Sequence, residues 1–304
     1  MGRTFRLVVC ALAVCPAGAF AQRFDDMGVR AQGMGGAFVA VADDATATWW
    51  NPAGLAHALT FVDLSASVLK DDGRSIALGF PSLGLSYYRL RIARFQPSGA
   101  STGTTVTGRQ DNGAVGSDPS LGEFDLSQFG ASFGQSLTQH FVVATTVKLE
   151  NALGDTRADL DVGAMAAFGA MRIGVTVRNV RQPTFGTGTD SYELTRRARA
   201  GVALVRAVRG PIDGIAVAFD ADITSSQSDG RDERDVAGGG EVWLRSGRIG
   251  IRGGGGFNTV TGGDPFGSFG LTIVPHPRLN IDGAVTRGAA STRDRWSMGL
   301  RLTF

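Results

Sequence analysis

The sequence predicts an all-β chain: a transmembrane antiparallel β-barrel of about 14 strands with an N-terminal hatch segment inside. Three observations carry this prediction. Apolar and polar residues alternate with period two from Thr60 to the end of the chain. A leader with the features of an export signal precedes them. The connections fall into a mostly short set and a longer set, as in outer-membrane barrels.

Composition narrows the alternatives. The 304 residues include 44 Gly, 43% are hydrophobic and 19% are charged. That apolar content, with a net charge near zero, excludes intrinsic disorder. No stretch is long and apolar enough for a membrane-spanning helix, which needs about 18 residues.

Met1 to Ala21 reads as a secretory signal peptide. Arg3 and Arg6 form the basic region, Leu7 to Val14 the apolar one, and Ala19-Phe20-Ala21 the cleavage site. Cys15 raises a lipoprotein reading, but Val14 stands where a small residue is needed. Cys10 and Cys15 are the only cysteines and both leave with the leader, which argues against disulfides or cysteine zinc sites. Loss of Arg3 and Arg6 takes 30 basic residues to 28, matching the 28 acidic ones. A neutral exported chain has no electrostatic case for binding nucleic acid.

Beyond Thr60, alternation places strands near 60–70, 74–81, 83–95, 122–136, 141–151, 156–168, 171–180, 194–205, 214–223, 236–245, 247–255, 266–274, 279–287 and 295–304. In 141–151, Val143, Val147 and Leu149 fall on one face, with Thr146, Lys148 and Glu150 on the other. No amphipathic helix separates the strands, so they pair antiparallel. Gln96–Leu121, Arg181–Glu193, Thr224–Asp235 and Gly256–Pro265 form the long set of connections. Pro81-Ser82-Leu83, Leu137–His140, Gly169-Ala170, Ser246-Gly247 and Pro275-His276-Pro277 belong to the short one, with Arg206–Asp213 its longest member.

A soluble sandwich or ligand-binding barrel would hide its apolar face. Here that face is thin and continuous, and charge occupies the opposite one, the inverse of a soluble protein. The expected lumen carries Arg89, Arg91, Asp125, Lys148, Glu150, Asp159, Asp161, Arg172, Arg178, Arg197, Arg199, Glu241, Arg252 and Asp282. Mixed signs at that density imply a salt-bridged lining that keeps the lumen closed at rest. Trp243 and Trp296, near strand ends, read as an interfacial aromatic girdle.

Residues 22–59 break the period and form the expected hatch, with the barrel over 60–304. Small residues over Gly28–Leu55 permit close backbone packing. Asp43 is placed to N-cap a short helix through Trp50, with Asp44 in its first turn. Asn51 precedes Pro52, so the helix stops there.

Ala31-Gln32-Gly33-Met34-Gly35-Gly36-Ala37-Phe38, then Ala42-Asp43-Asp44-Ala45 and Trp50-Asn51-Pro52-Ala53-Gly54-Leu55, resemble the PorV/PorQ branch of the FadL-type outer-membrane transporters. The resemblance implies a fourteen-stranded barrel whose hatch is held by Asn51, Pro52 and Ala53; Trp49 and Trp50, beside that motif, read as wedging the hatch into the barrel, with Asp43 and Asp44 among the gating residues. It implies gated passive passage of a small hydrophobic compound, or alternatively, as in PorV-type members, handling of exported cargo in type IX secretion. The last strand, Trp296 to Phe304, resembles the signal that such barrels present to their assembly machinery, carried by Gly299, Leu302 and Phe304. Expected partners are therefore outer-membrane lipid, that machinery, and a hydrophobic small molecule or a secreted protein. The expected location is a Gram-negative-type outer membrane.

No catalytic, metal or cofactor site is expected. His57, His140 and His276 lie far apart in sequence. Gly33-Met34-Gly35-Gly36 lacks the third glycine and the βαβ setting of a dinucleotide site. Gly253–Gly256 reads as close packing at a strand end, and the acids of Thr224–Asp235 as a solvated loop.

Overall fold

A computed structural model describes residues 27–57, 62–70, 73–93, 123–187, 191–208, 210–228, 231–260, 263–289 and 293–304. The leader over 1–21 and the Gln96–Leu121 connection lie outside the described residues.

Three short helices come first: α1 (Val29–Gly33), α2 (Ala47–Trp50) and α3 (Ala53–His57). The strands follow as β1 (Asp63–Leu69), β2 (Arg74–Phe80), β3 (Leu83–Ala93), β4 (Glu123–Ser136), β5 (Phe141–Ala152), β6 (Asp155–Phe168) and β7 (Met171–Arg178). After them come the hairpin β8 (Thr184–Phe185) and β9 (Tyr192–Glu193), then β10 (Arg197–Ala207) and β11 (Ile212–Asp222). A second hairpin, β12 (Ser226–Ser228) and β13 (Arg231–Glu233), precedes β14 (Asp235–Leu244), β15 (Ile249–Asn258), β16 (Gly263–His276), β17 (Leu279–Gly288) and β18 (Arg295–Thr303).

Setting the hairpins aside, the other fourteen strands close into one antiparallel barrel. Each pairs with its neighbour in the chain, and β1 closes on β18 from Asp63↔Thr303 to Leu69↔Ser297. Closure removes every sheet edge and satisfies the backbone without water, which a bilayer demands. The two hairpins extend connections at one end of the barrel. Tight turns and the C-terminus mark the other end, the periplasmic one by the usual asymmetry of such barrels. Gly256–Pro265 is a correction: β15 runs to Asn258 and β16 starts at Gly263, so most of that stretch is strand.

Period-two alternation gives every strand an outer and an inner face. On β5, Val147 and Leu149 are 48% and 53% exposed on the outside, while Thr146, Lys148 and Glu150 are fully buried inside. The inside is buried because α1 to α3 and their linkers fill it. Ala31, Met34, Phe38, Val41, Trp49, Trp50 and Leu55 share one apolar cluster with wall residues Tyr88, Leu90, Ala203, Ala218 and Ala237.

The segment sits closest at β14 and β15, where Gly238, Gly239 and Gly240 pair with Gly255, Gly254 and Gly253. A Cβ at Gly239 or Gly254 would overlap the Met34 backbone, and Gly35, at φ +68, lies so close to the wall that its own Cβ would overlap Gly255 N. Gly253–Gly256 thus lies within β15 rather than at its end, and its bare backbone receives the segment.

Candidate functional site

Three residues expected in the lumen lie outside it, all at one place. Arg89 and Arg91 on β3, with Asp125 on β4, face outward: Arg89 Nη2 lies 2.5 Å and Arg91 Nε 3.5 Å from Asp125 carboxylate oxygens, with side chains 35–47% exposed. At the same height Leu90, Phe124 and Leu126 point inward, and the last two pack with Ala152, Phe185 and Leu194. The strands there lead toward the β8–β9 end, so their outer face meets water and their inner face supports a small apolar core. Polarity inverts with height, and alternation alone cannot mark where.

The remaining charges point inward and form three groups. In the first, Arg30 of α1 donates Nε and Nη2 to both Glu241 carboxylate oxygens at 2.8 and 2.7 Å. Its Nη1 pairs with Asp43 and, at 3.3 Å, with Asp44. Glu241 also accepts from Arg252 Nε at 2.5 Å and Trp243 Nε1 at 2.8 Å. Arg252 continues to Asp282 at 3.4 Å, and Arg301 reaches Asp44 at 3.3 Å. One carboxylate on the wall therefore joins the segment to a buried wall arginine.

Two corrections arise here. Trp243 faces the lumen, toward Glu241 and Arg252, so it does not belong to an outer aromatic girdle; Trp296, 44% exposed, faces outward. Asp43 does not cap α2, whose N-cap is Thr46. Asp43 instead pairs with Arg30, and lies 3.7 Å from Arg172. Asp44 takes the turn, accepting from Thr46 N at 2.9 Å. Burial works to raise the Asp44 pKa, but Arg30, Arg301 and the Thr46 hydrogen bonds hold it below the ordinary carboxylate value. Stability from a carboxyl lowered on folding is complete above its unfolded pKa and lost as pH falls through the folded one. At neutral pH this anchor is fully in force.

The second group surrounds Lys148, whose ammonium lies 3.0 Å from Glu150, 3.0 Å from Asp159 and 2.8 Å from Asp161. It also donates to Asn179 Oδ1 at 2.7 Å. Arg178 approaches Asp161 at 3.7 Å and lies over the Trp49 ring, 3.7 Å from its centroid. Trp49 meets Tyr88 edge-on at 4.8 Å.

The third group joins Arg197 and Arg199 to Asp222, at 3.4 and 2.6 Å. Beside it Asp220 accepts from Phe38 N and Val39 N at 2.7 and 2.8 Å, taking two backbone donors of the segment with one oxygen. Arg30 and Asp220 were missed by sequence reasoning. A lone arginine in a Gly/Ala-rich run was the signal available for the first; Asp220 follows the inward phase of its strand.

The Asn-Pro-Ala residues sit against β6 and β7. Asn51 leaves α2 in extended conformation at φ −161. Its Nδ2 donates to Val39 O at 3.0 Å and Ala164 O at 3.1 Å, and its Oδ1 accepts from Ala53 N at 3.2 Å. A Cβ at Gly163 would overlap Asn51 Oδ1, so a glycine makes its place in the wall. Ala53 is buried with Val142, Ala144 and Met165, and Pro52 beside it is buried too. Trp50 donates Nε1 to Met27 O at 2.6 Å. Asn51→Ala strands the Val39 and Ala164 carbonyls and the Ala53 amide, at a cost of about 1–3 kcal/mol. Raised permeability to a large dye is the expected result, and unchanged permeability would count against Asn51 as a clamp.

Gly299 presses on Val29, where a Cβ would come within 2.9 Å of its Cγ2. Phe304 is 60% exposed just beyond β18, with its N donating to Val62 O at 2.9 Å, and Leu302 pairs with Leu64. Among the described residues, two small cavities lie between segment and wall. One, lined by Arg30, Asp44 and Arg301, measures about 10 Å³; the other, lined by Trp49, Trp50 and Arg178, about 20 Å³. Each has room for about one water. No group of three or more His, Cys, Asp or Glu able to hold a metal ion occurs among the described residues.

No curated protein matches the sequence. The family model described as the F plasmid transfer operon TraF protein matches residues 98–210, a minority of the chain. Solved structures match over most of its length. The CymD monoaromatic hydrocarbon channel superposes with a TM-score of 0.61 at 10% identity, over 90% of this chain and 96% of that one. The Ralstonia pickettii toluene transporter TbuX gives 0.59 at 11%, over 92% and 99%. The Pseudomonas putida toluene transporter TodX gives 0.58 at 10%, over 94% and 98%. At these identities the likeness is one of fold. The chain is thus an integral outer-membrane protein, a closed fourteen-stranded barrel with the fold that those hydrocarbon channels share.

Proposed function

We propose that this protein is a gated, passive, non-catalytic route for a small hydrophobic compound across the outer membrane, with residues 22–59 acting as its hatch. The observation that carries the reading is a lumen filled by Met27–His57 inside a barrel of hydrocarbon-channel fold. The gating part rests on volume. A cavity of about 150 Å³ accepts benzene, whereas those beside the segment measure about 10 and 20 Å³. For a single aromatic ring to pass through either of these two spaces, the segment or a wall strand has to move. The assigned roles are a clamp for Asn51, Pro52 and Ala53, a wedge for Trp50, and ion-pair latches for Asp43 and Asp44. Asp159, Asp161, Arg172, Arg178, Arg197 and Arg199 complete the sealing layer, with Gly299, Leu302 and Phe304 as the assembly signal.

The same filled, charged lumen favours a second reading, in which the barrel is a PorV-like accessory binding exported protein and carries no small molecule. Mass spectrometry of protein extracted gently from its native membrane separates the two. Transport predicts a stoichiometric hydrophobic molecule with no protein partner. A stoichiometric exported protein with no such molecule would replace transport by the accessory role.

A further inference from the structure

The periplasmic rim is uneven in charge. The turns after β2, β4 and β6 are Pro81-Ser82, Leu137–His140 and Gly169-Ala170, which contain no lysine or arginine. On the other half of the rim stand Arg206 near the end of β10, and Arg245 and Arg248 between β14 and β15, all exposed. None of these three makes an ion pair with a described residue. The two turns are tied together, since Gly247 N donates to Asp213 Oδ2 at 2.9 Å. That bond engages Asp213, the acidic group of these turns.

Directly on the outer wall beside Arg206 lies an open apolar groove of about 720 Å³, lined by Leu204, Arg206, Val208, Ile215 and Val217. Leu204 and Val217 are 57% and 55% exposed, so the groove faces outward and not into the lumen. Leu204 opposes Val217 and Arg206 opposes Ile215 across β10 and β11, which sets these four side chains together on the outer face.

We propose that this groove binds an anionic phospholipid of the periplasmic leaflet. An acyl chain lies along Leu204, Ile215 and Val217, and the phosphate sits at Arg206, within the field of Arg245 and Arg248. The two halves of the site select this occupant together. A soluble anion gains nothing from the apolar wall, an acidic peptide does not enter a lipid-facing groove, and a zwitterionic lipid leaves the excess positive charge uncompensated. The site is independent of the lumen, so it stands or falls apart from the transport reading.

The test uses the full barrel reconstituted in vesicles of equal parts phosphatidylethanolamine and phosphatidylglycerol, then released gently for native mass spectrometry. Wild type is expected to retain one phosphatidylglycerol in preference to phosphatidylethanolamine. Arg206→Gln should cut that preference about fivefold, and Arg206→Gln with Arg248→Gln further, since each cation near the headgroup adds a similar factor. Val217→Trp, which fills the groove and leaves the cations in place, should lower retention of phosphatidylglycerol. Arg206 and Val217 lie on the outer face and Arg248 in an exposed turn, none of them in the lumen ion pairs described above, and a heat-modifiable gel shift confirms folding. Equal retention of the two lipids by wild type would overturn the proposal. So would unchanged preference in the arginine variants, or full retention in Val217→Trp.

Discussion

Glu241→Gln is expected to loosen the N-terminal segment while leaving the barrel closed. Glu241 is 2% exposed and accepts from Arg30 on the segment and from Arg252 and Trp243 on the wall. Glutamine keeps the shape but removes the charge that both guanidinium groups face. Breaking one partner of a buried pair costs roughly 3–5 kcal/mol, and the lower end applies because Arg30 retains Asp44 and Arg252 retains Asp282. The readout is protease sensitivity of Met27–His57 alongside the urea midpoint of the barrel. A cycle with Arg30→Gln should give a coupling of about 1–3 kcal/mol, as for directly bonded residues. Wild-type protease resistance in Glu241→Gln would show that the segment is held by its apolar contacts alone.

Lys148→Met carries the largest expected loss of stability. Methionine preserves the aliphatic stem, but Glu150, Asp159 and Asp161 lose the ammonium that lies within 3.0 Å of each. Three buried carboxylates then remain around one site, with Arg178 at 3.7 Å from Asp161. An uncompensated buried charge costs about 3–5 kcal/mol, enough to abolish folding in a marginal barrel. The informative companion is Lys148→Met with Glu150→Gln and Asp159→Asn, which removes the like-charge conflict and should restore much of the loss. If Lys148→Met alone folds with a wild-type urea midpoint, the cluster is not an electrostatic unit.

The fold was legible because a barrel strand repeats one simple rule. No end in the sequence reading lies more than three residues from the observed barrel strand. Alternation reports which residues share a face, and Lys148, Asp159, Asp161 and Glu241 were placed inside on that basis. It does not report height. Arg89 and Arg91 share the outer face with Leu83 and Leu85, and only their position beyond the lipid makes that arrangement favourable. Trp243 failed for a related reason, because an aromatic residue near a strand end reads as a girdle until its phase is set against Glu241.

The N-terminal segment was harder to read. Its glycines announced close packing, and Asn51 before Pro52 announced the end of a helix. Which acid caps and which pairs depends on tertiary partners, Arg30 lying 13 residues before Asp43 and others more than 100 residues along the chain. Asp43 fits a capping role until Arg30 and Arg172 are seen beside it. Arg30 itself carries no local pattern; its meaning comes from Glu241, on a strand far along the chain.

Single-channel recording in planar bilayers tests most directly whether the segment closes the lumen. Intact protein should show no large steady conductance, and Glu241→Gln should show intermittent openings as the segment loses its bond to the wall. A large, steady conductance from correctly folded wild-type protein would contradict the account, because ions would then be crossing a lumen that the buried ion pairs are said to seal.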